Sequence, residues 1–227
     1  ADMRWMSYDS PDELLLQRDT RVPLGVSPQR WAAAVFREPA RVADAERLFS
    51  EVFTIATDMQ DVDGLRVSLF DLFTREEMEA LYRQNCTRMK WQNGRVPGNH
   101  DIPAQCAARL WRHISAEADA ALATGRPAAT LRFGHDTALY RLLSLLGVAD
   151  PSEGRGELDR IVPMAANLQM LFCRRAGAAS TAAAGQGNDD VLVGFWLNEQ
   201  PATLTALQPV ARQDGVDYYS WTAVKRA

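Results

Sequence analysis

Cysteine is scarce in this chain: among 227 residues there are three, Cys86, Cys106 and Cys173. An odd and sparse count excludes a disulfide-rich scaffold. Cys86 and Cys106 fall on successive expected helices, where a bridge stands as the alternative to two buried thiols. Long apolar runs are missing, and none reaches the length of a membrane span. The first residues, ADMRWMSYDS, are polar and lack the apolar stretch of a secretion signal. A surplus of positive charge is missing as well. The net charge is −4, which excludes a global basic field attracting nucleic acid or an anionic membrane, so any anion site has to be local. There is no Gly-x-Ser-x-Gly, no P-loop and no dinucleotide-binding glycine fingerprint.

What is present suits a globular protein of one large domain or two small ones: 47% hydrophobic and 24% charged residues, at a length sufficient for a core. Residues 1–26 are irregular, broken by Pro11, Pro23 and Gly25. Ser27 before Pro28 marks a helix start, a hydroxyl cap followed by proline in the first turn. Past Pro39, Val42, Ala45, Leu48, Phe49, Val52, Ile55 and Ala56 recur at helical spacing over 41–58. "RVSLFDLF" is ambiguous. Thr74 with Glu77 is a capping box, and Asn93-Gly94 ends the helix it opens. Residues 93–103 are a loop. A helix over 104–124 follows, with Leu110, Ile114, Ala118, Ala121 and Leu122 on one face and Gly125 behind it. The expected organisation is a helical part, 1–126, and an α/β part, 127–227. In the second part "ATLRF" (129–133) reads as a strand, 137–147 as a helix, and "ANLQMLFCR" and "VLVGFWLNE" as two more strands. The spacer "RAGAASTAAAGQGNDD" between those two is low in complexity.

His135-Asp136 is the first candidate site. The pair stands where a strand's C-terminal end meets a helix start, the usual ligand position in open α/β sheets. Free backbone N–H groups and the positive helix end favour an anion there. An imidazolium adds charge and a donor, and a neighbouring carboxyl can give a proton to a leaving group. Spacing alone favours the structural reading, with Asp136 as a helix cap and His135 an ordinary loop histidine. "GNHD" (98–101) matches one block of metal-dependent phosphoesterases, but the companion ligand blocks are missing, so it reads as a polar loop. With three histidines in all, a His-Asp metal hydrolase is weakly supported, and His113 reads as a structural or surface residue on its helix. No metal or cofactor is expected. The six tryptophans are scattered and read as packing residues.

"LRFGHD" and the helix after it resemble the second signature of the histidine acid phosphatases, closest to the branch of multiple inositol polyphosphate phosphatases and bacterial phytases. "PMAANLQMLFCRR" resembles that branch's next strand. "VLVGFWLNEQPATL" resembles the one after, with its Asn-Glu-x-Pro ending, and "YYSWTAVKRA" a typical C-terminus. The helical part, including "SLFDLFTREE", resembles the α-domain inserted over the pocket. The family's first signature, Arg-His-Gly-x-Arg-x-Pro, has no counterpart here. The resemblance therefore implies the C-terminal half of such an enzyme: a partial, mostly parallel sheet with a helical α-domain. It implies a phosphate ester as substrate, with His135 gripping the phosphoryl group and Asp136 protonating the leaving oxygen. The nucleophilic histidine and phosphate-gripping arginines would lie on the missing half, leaving this chain alone inactive. Lys90 and Arg95 are possible substrate contacts from the helical cap. The missing half or a second copy of the chain is expected to cover the open side of "ATLRF". The family's habit of export implies the periplasm or the cell exterior. Against these expectations stand a non-catalytic anion-binding module and a purely structural helical domain.

Overall fold

Proline and hydroxyl caps, not hydrophobic periodicity alone, set where the first helices begin. The computed structural model describes residues 24–60, 62, 64, 67–99, 101–149, 161–174 and 191–226. By their contacts the described residues form two compact units, a smaller one within 24–88 and a larger one within 89–226.

In the smaller unit, α1 (Pro28–Val35) starts where Ser27 accepts the Arg30 N–H and proline occupies the first turn. Asp44 caps α2 (Ala45–Met59) by accepting the Arg47 N–H at 2.9 Å. Residues 39–41, expected inside that helix, form a separate 3-10 turn, because proline at 39 fixes φ and offers no N–H to an α-helical turn. The capping box is reciprocal: the Thr74 N–H donates to Glu77 Oε2 at 2.8 Å, and the Glu77 N–H to Thr74 Oγ1 at 3.2 Å. It opens α3 (Arg75–Asn93), whose last turn belongs to the larger unit. Within the ambiguous "RVSLFDLF", Phe70–Leu72 forms a 3-10 turn. It delivers Phe73 to a core of Trp31, Phe49, Phe53 and Leu81. Trp31 stacks on Phe73 with centroids 5.6 Å apart, and its indole N–H donates to the Leu72 carbonyl at 3.0 Å, so the buried ring leaves no donor unpaired.

In the larger unit the expected helix over 104–124 is two. α4 (Ile102–Cys106) has proline in its first turn, and α5 (Ala108–Thr124) ends at Gly125 in the left-handed region, φ 70°. α5 was grouped with the helical part by sequence. In the structure its Leu110, Trp111, Ile114 and Ala118 pack into the same core as the sheet. α6 (Asp136–Leu146) buries Tyr140, Leu142, Leu143 and Leu146 there too. The strands are β1 (Leu168–Arg174), β2 (Val191–Leu197), β3 (Gln200–Ala202), β4 (Ala211–Gln213) and β5 (Val216–Ser220), before a final helix, α7 (Trp221–Arg226).

The chain thus combines helices with a sheet, but the expectation of a mostly parallel sheet needs correction. The order is β1-β2-β5-β4 with β3 also on β2, and every described pairing is antiparallel. The physical reason lies in the connections. Two tight two-residue turns, Asn198-Glu199 and Asp214-Gly215, all four residues at positive φ, reverse the chain between neighbouring strands, and such turns join antiparallel strands only. A parallel neighbour for "ATLRF" is not among the described residues: 129–133 carries no strand pairing at all. β2 is buried on nearly every residue, so it forms the floor of the core, with β1 on one side of it and β5 on the other.

Candidate functional site

Gly147, in the left-handed region at φ 64°, terminates α6 at one end; His135 precedes it at the other. Between them the helix is fixed from two sides. Its apolar face enters the core, and its polar face meets the end of α3. There the Arg141 Nε donates to Asn93 Oδ1 at 2.8 Å, and Ser144 Oγ donates to the Asn93 carbonyl at 2.9 Å. Asn93 is 1% exposed, so these bonds are made away from solvent.

The helix N-terminus points the other way. His135 is the N-cap residue, extended at φ −89° and ψ 156°, and its side chain caps no backbone group. Asp136 is the first helical residue, with Oδ1 accepting the Thr137 N–H at 2.7 Å. Both residues are exposed. The structure therefore brings the two predicted residues together at a helix's positive end, where first-turn N–H groups and the dipole favour an anion. It does not enclose them. Neither the cavity of about 160 Å³ beneath α6 nor the wider groove in the smaller unit is lined by His135 or Asp136.

The approach to the pair carries no helix and no strand pairing. Leu131 and Phe133 are 81% and 86% exposed, whereas Arg132 between them turns to α5. Its guanidinium bonds Glu117 Oε2 and lies 2.6 Å from His113 Nδ1. Sequence reasoning missed this trio. The signal was available in the alternation Leu-Arg-Phe, which puts Arg132 on the face opposite its neighbours.

The other candidates find structural places. Asn99 of "GNHD" is buried, and its Nδ2 donates to the carbonyls of Trp91 and Gly94 at 3.0 and 2.8 Å, stapling the loop to the end of α3. Asp101 pairs with Arg95 at 2.9 Å, and His100 lies outside the described residues. Among the described residues no group of three or more His, Cys, Asp or Glu is placed to hold a metal. Lys90 and Arg95 both line the small cavity beneath α6, with Tyr140, Leu143 and Leu197. Trp31, Trp111 and Trp221 are core residues. The three cysteines are free thiols, Cys86 and Cys106 buried, and burial pushes the Cys173 thiol up from its ordinary value. No described helix is long and apolar enough to cross a membrane.

Comparison with models of known protein families and with curated proteins finds no match.

Proposed function

We propose that the chain supplies half of a phosphomonoesterase site of the histidine acid phosphatase type, acting on inositol polyphosphates or similar esters. The observation that carries this reading is the exposed His135-Asp136 pair at the N-terminus of α6, reached by a segment that has no strand partner among the described residues. Such an arrangement suits a site whose other wall, and whose nucleophile, come from a polypeptide segment bearing Arg-His-Gly.

In that reaction the other segment's histidine attacks phosphorus as the P–O bond to the alcohol breaks. Asp136 gives its proton to the departing oxygen, then takes one from the water that hydrolyses the phosphohistidine. His135 donates to the phosphoryl oxygens and offsets their charge through both steps. A second reading, a non-catalytic anion-binding or helical interaction module, is favoured by one observation: Asp136 already spends an oxygen on the Thr137 N–H.

Turnover of phytate and of 4-nitrophenyl phosphate tests both, using these 227 residues and the full product of the gene. The expected result is no turnover by the 227 residues. The full product should turn over both esters, with a loss of about 10²-fold or more for Asp136→Asn and for His135→Ala, the usual scale for a proton donor or a charge-stabilising group. Hydrolysis by the 227 residues alone that depends on His135 overturns the division of the site. Phosphate binding without turnover in the full product selects the module.

A further inference from the structure

The strand edges of the sheet are not finished alike. β4 is three residues long, all exposed, with Arg212 at its centre, and β3 is three residues long with Pro201 at its centre. Shortness, charge and proline are devices that keep an edge strand from pairing with another chain. β1 has none of them. It runs seven residues, and all seven pair with β2 in unbroken register, without a bulge. It holds no proline, and its one charged residue is the last, Arg174, whose guanidinium turns back to the Leu122 carbonyl of α5. Among the described residues no strand lies on its other side. Alternate N–H and C=O groups of β1 therefore face away from β2, in a row that fits a further strand.

We propose that β1 is a dimerisation strand: it pairs antiparallel with β1 of a second copy about a twofold axis at Leu171, so that one sheet runs through both protomers. Self-complementarity argues for the second copy as the occupant. In a closed pair of identical chains the same surface serves both sides, and a strand meeting its own twin across a twofold runs antiparallel to it. Centred on Leu171, the pairing uses all seven residues. Leu171 faces the partner's Leu171, Met170 the partner's Phe172, Gln169 the partner's Cys173 and Leu168 the partner's Arg174, so no like charges meet. A parallel twin in register would set Arg174 on Arg174. The two faces are matched as well. Leu168, Met170 and Phe172 pack against the core, where Phe172 meets Trp221 edge-on. Leu171 lies on the opposite face, 55% exposed and opposite Gly194 of β2, and pairing with its twin covers it. None of this depends on the reaction assigned to His135 and Asp136.

Sedimentation velocity of the 227-residue chain at micromolar concentration should show about twice the 25.2 kDa of one chain. Residues directly opposite on antiparallel strands have Cα atoms about 4.5–5.5 Å apart, within reach of a disulfide. Under mild oxidation by copper phenanthroline, Leu171→Cys in a Cys173→Ser background should therefore link two copies, and so should Gln169→Cys with Cys173 retained. Gln169→Cys in the Cys173→Ser background should not. Leu171→Lys sets two ammonium groups face to face and should raise the dissociation constant about tenfold or more, with the far-ultraviolet circular dichroism unchanged. Leu131→Ser with Phe133→Ser should leave the dimer intact and remove only association beyond it. A monomer throughout overturns the proposal. So does a dimer that Leu171→Lys leaves unweakened, that the Leu131 and Phe133 changes abolish, or that cross-links equally in all three cysteine variants, because another surface then holds the copies together.

Discussion

Trp221 joins three elements of the larger unit, and removing it should cost more than any surface change. The ring is fully buried. It meets Trp111 of α5 edge-on at 5.7 Å between centroids and Phe172 of β1 at 4.9 Å. Its N–H donates to Asp119 Oδ1 at 2.7 Å, and the Lys225 ammonium sits 5.4 Å from the ring while bonding both oxygens of Asp119 at 2.9 and 2.7 Å. Trp221→Ala loses the transfer energy of an indole and leaves a cavity, about 3–5 kcal/mol. Trp221→Phe keeps much of the ring burial and loses the charge-assisted bond. Asp119 retains both Lys225 contacts, so the cost is about 1–3 kcal/mol. Urea unfolding followed by far-ultraviolet circular dichroism measures both without depending on the tryptophan signal. A double-mutant cycle of Trp221→Phe with Asp119→Ala, which removes the acceptor, should give a coupling of about 1 kcal/mol for the indole–carboxylate bond. A cost for Trp221→Ala below about 1 kcal/mol would refute the picture of a packed anchor. No coupling in the cycle would refute the hydrogen bond.

Two further outcomes test other parts of the molecule. Burial is the main cause raising the Tyr219 phenol, and the charge of Asp217 adds to it against the pull of the Leu204 N–H bond. A phenol raised above its unfolded value of about 10 contributes stability in full below that pH and loses it as pH climbs through the folded value. The urea midpoint should therefore fall above about pH 10. Tyr219→Phe should remove that slope and cost about 1–3 kcal/mol at neutral pH by stranding the buried Leu204 N–H, which now donates to the hydroxyl at 2.9 Å. Leu131→Ser with Phe133→Ser touches exposed side chains only, so stability should move by no more than about 0.5 kcal/mol for each change, while self-association measured by light scattering should drop.

Local signals were read correctly where one residue decides a backbone state. Ser27 before Pro28, Thr74 with Glu77, and Gly125 all sit in the structure at the helix ends they mark. Asp214-Gly215 carried the same kind of signal for the β4–β5 turn and was overlooked, which hid the last hairpin. The direction of the sheet was a different problem. It depends on which strands meet, and "VLVGFWL" is apolar on both faces whether its neighbours run with it or against it. For β2 and β3 the antiparallel sense is fixed by the positive φ at Asn198 and Glu199, two non-glycine residues whose turn geometry is weakly encoded.

"ATLRF" shows why the candidate site was only half legible. Its β-branched and aromatic residues favour an extended backbone, and 127–135 is free of helix and of strand pairing. Pairing is another matter, since a strand needs a second backbone to take its N–H and C=O groups. Unpaired, the segment is held at Arg132 by side chains of α5, and Leu131 and Phe133 face outward as strand alternation requires. The helix start after it is local, and the sequence marks it at His135-Asp136. The wall that would turn His135 and Asp136 from an exposed corner into a pocket is nonlocal, and no spacing within Leu131 to Val148 encodes it. Leu131 and Phe133 leave an apolar surface exposed beside the corner at His135, whereas Arg132 between them is fastened to α5.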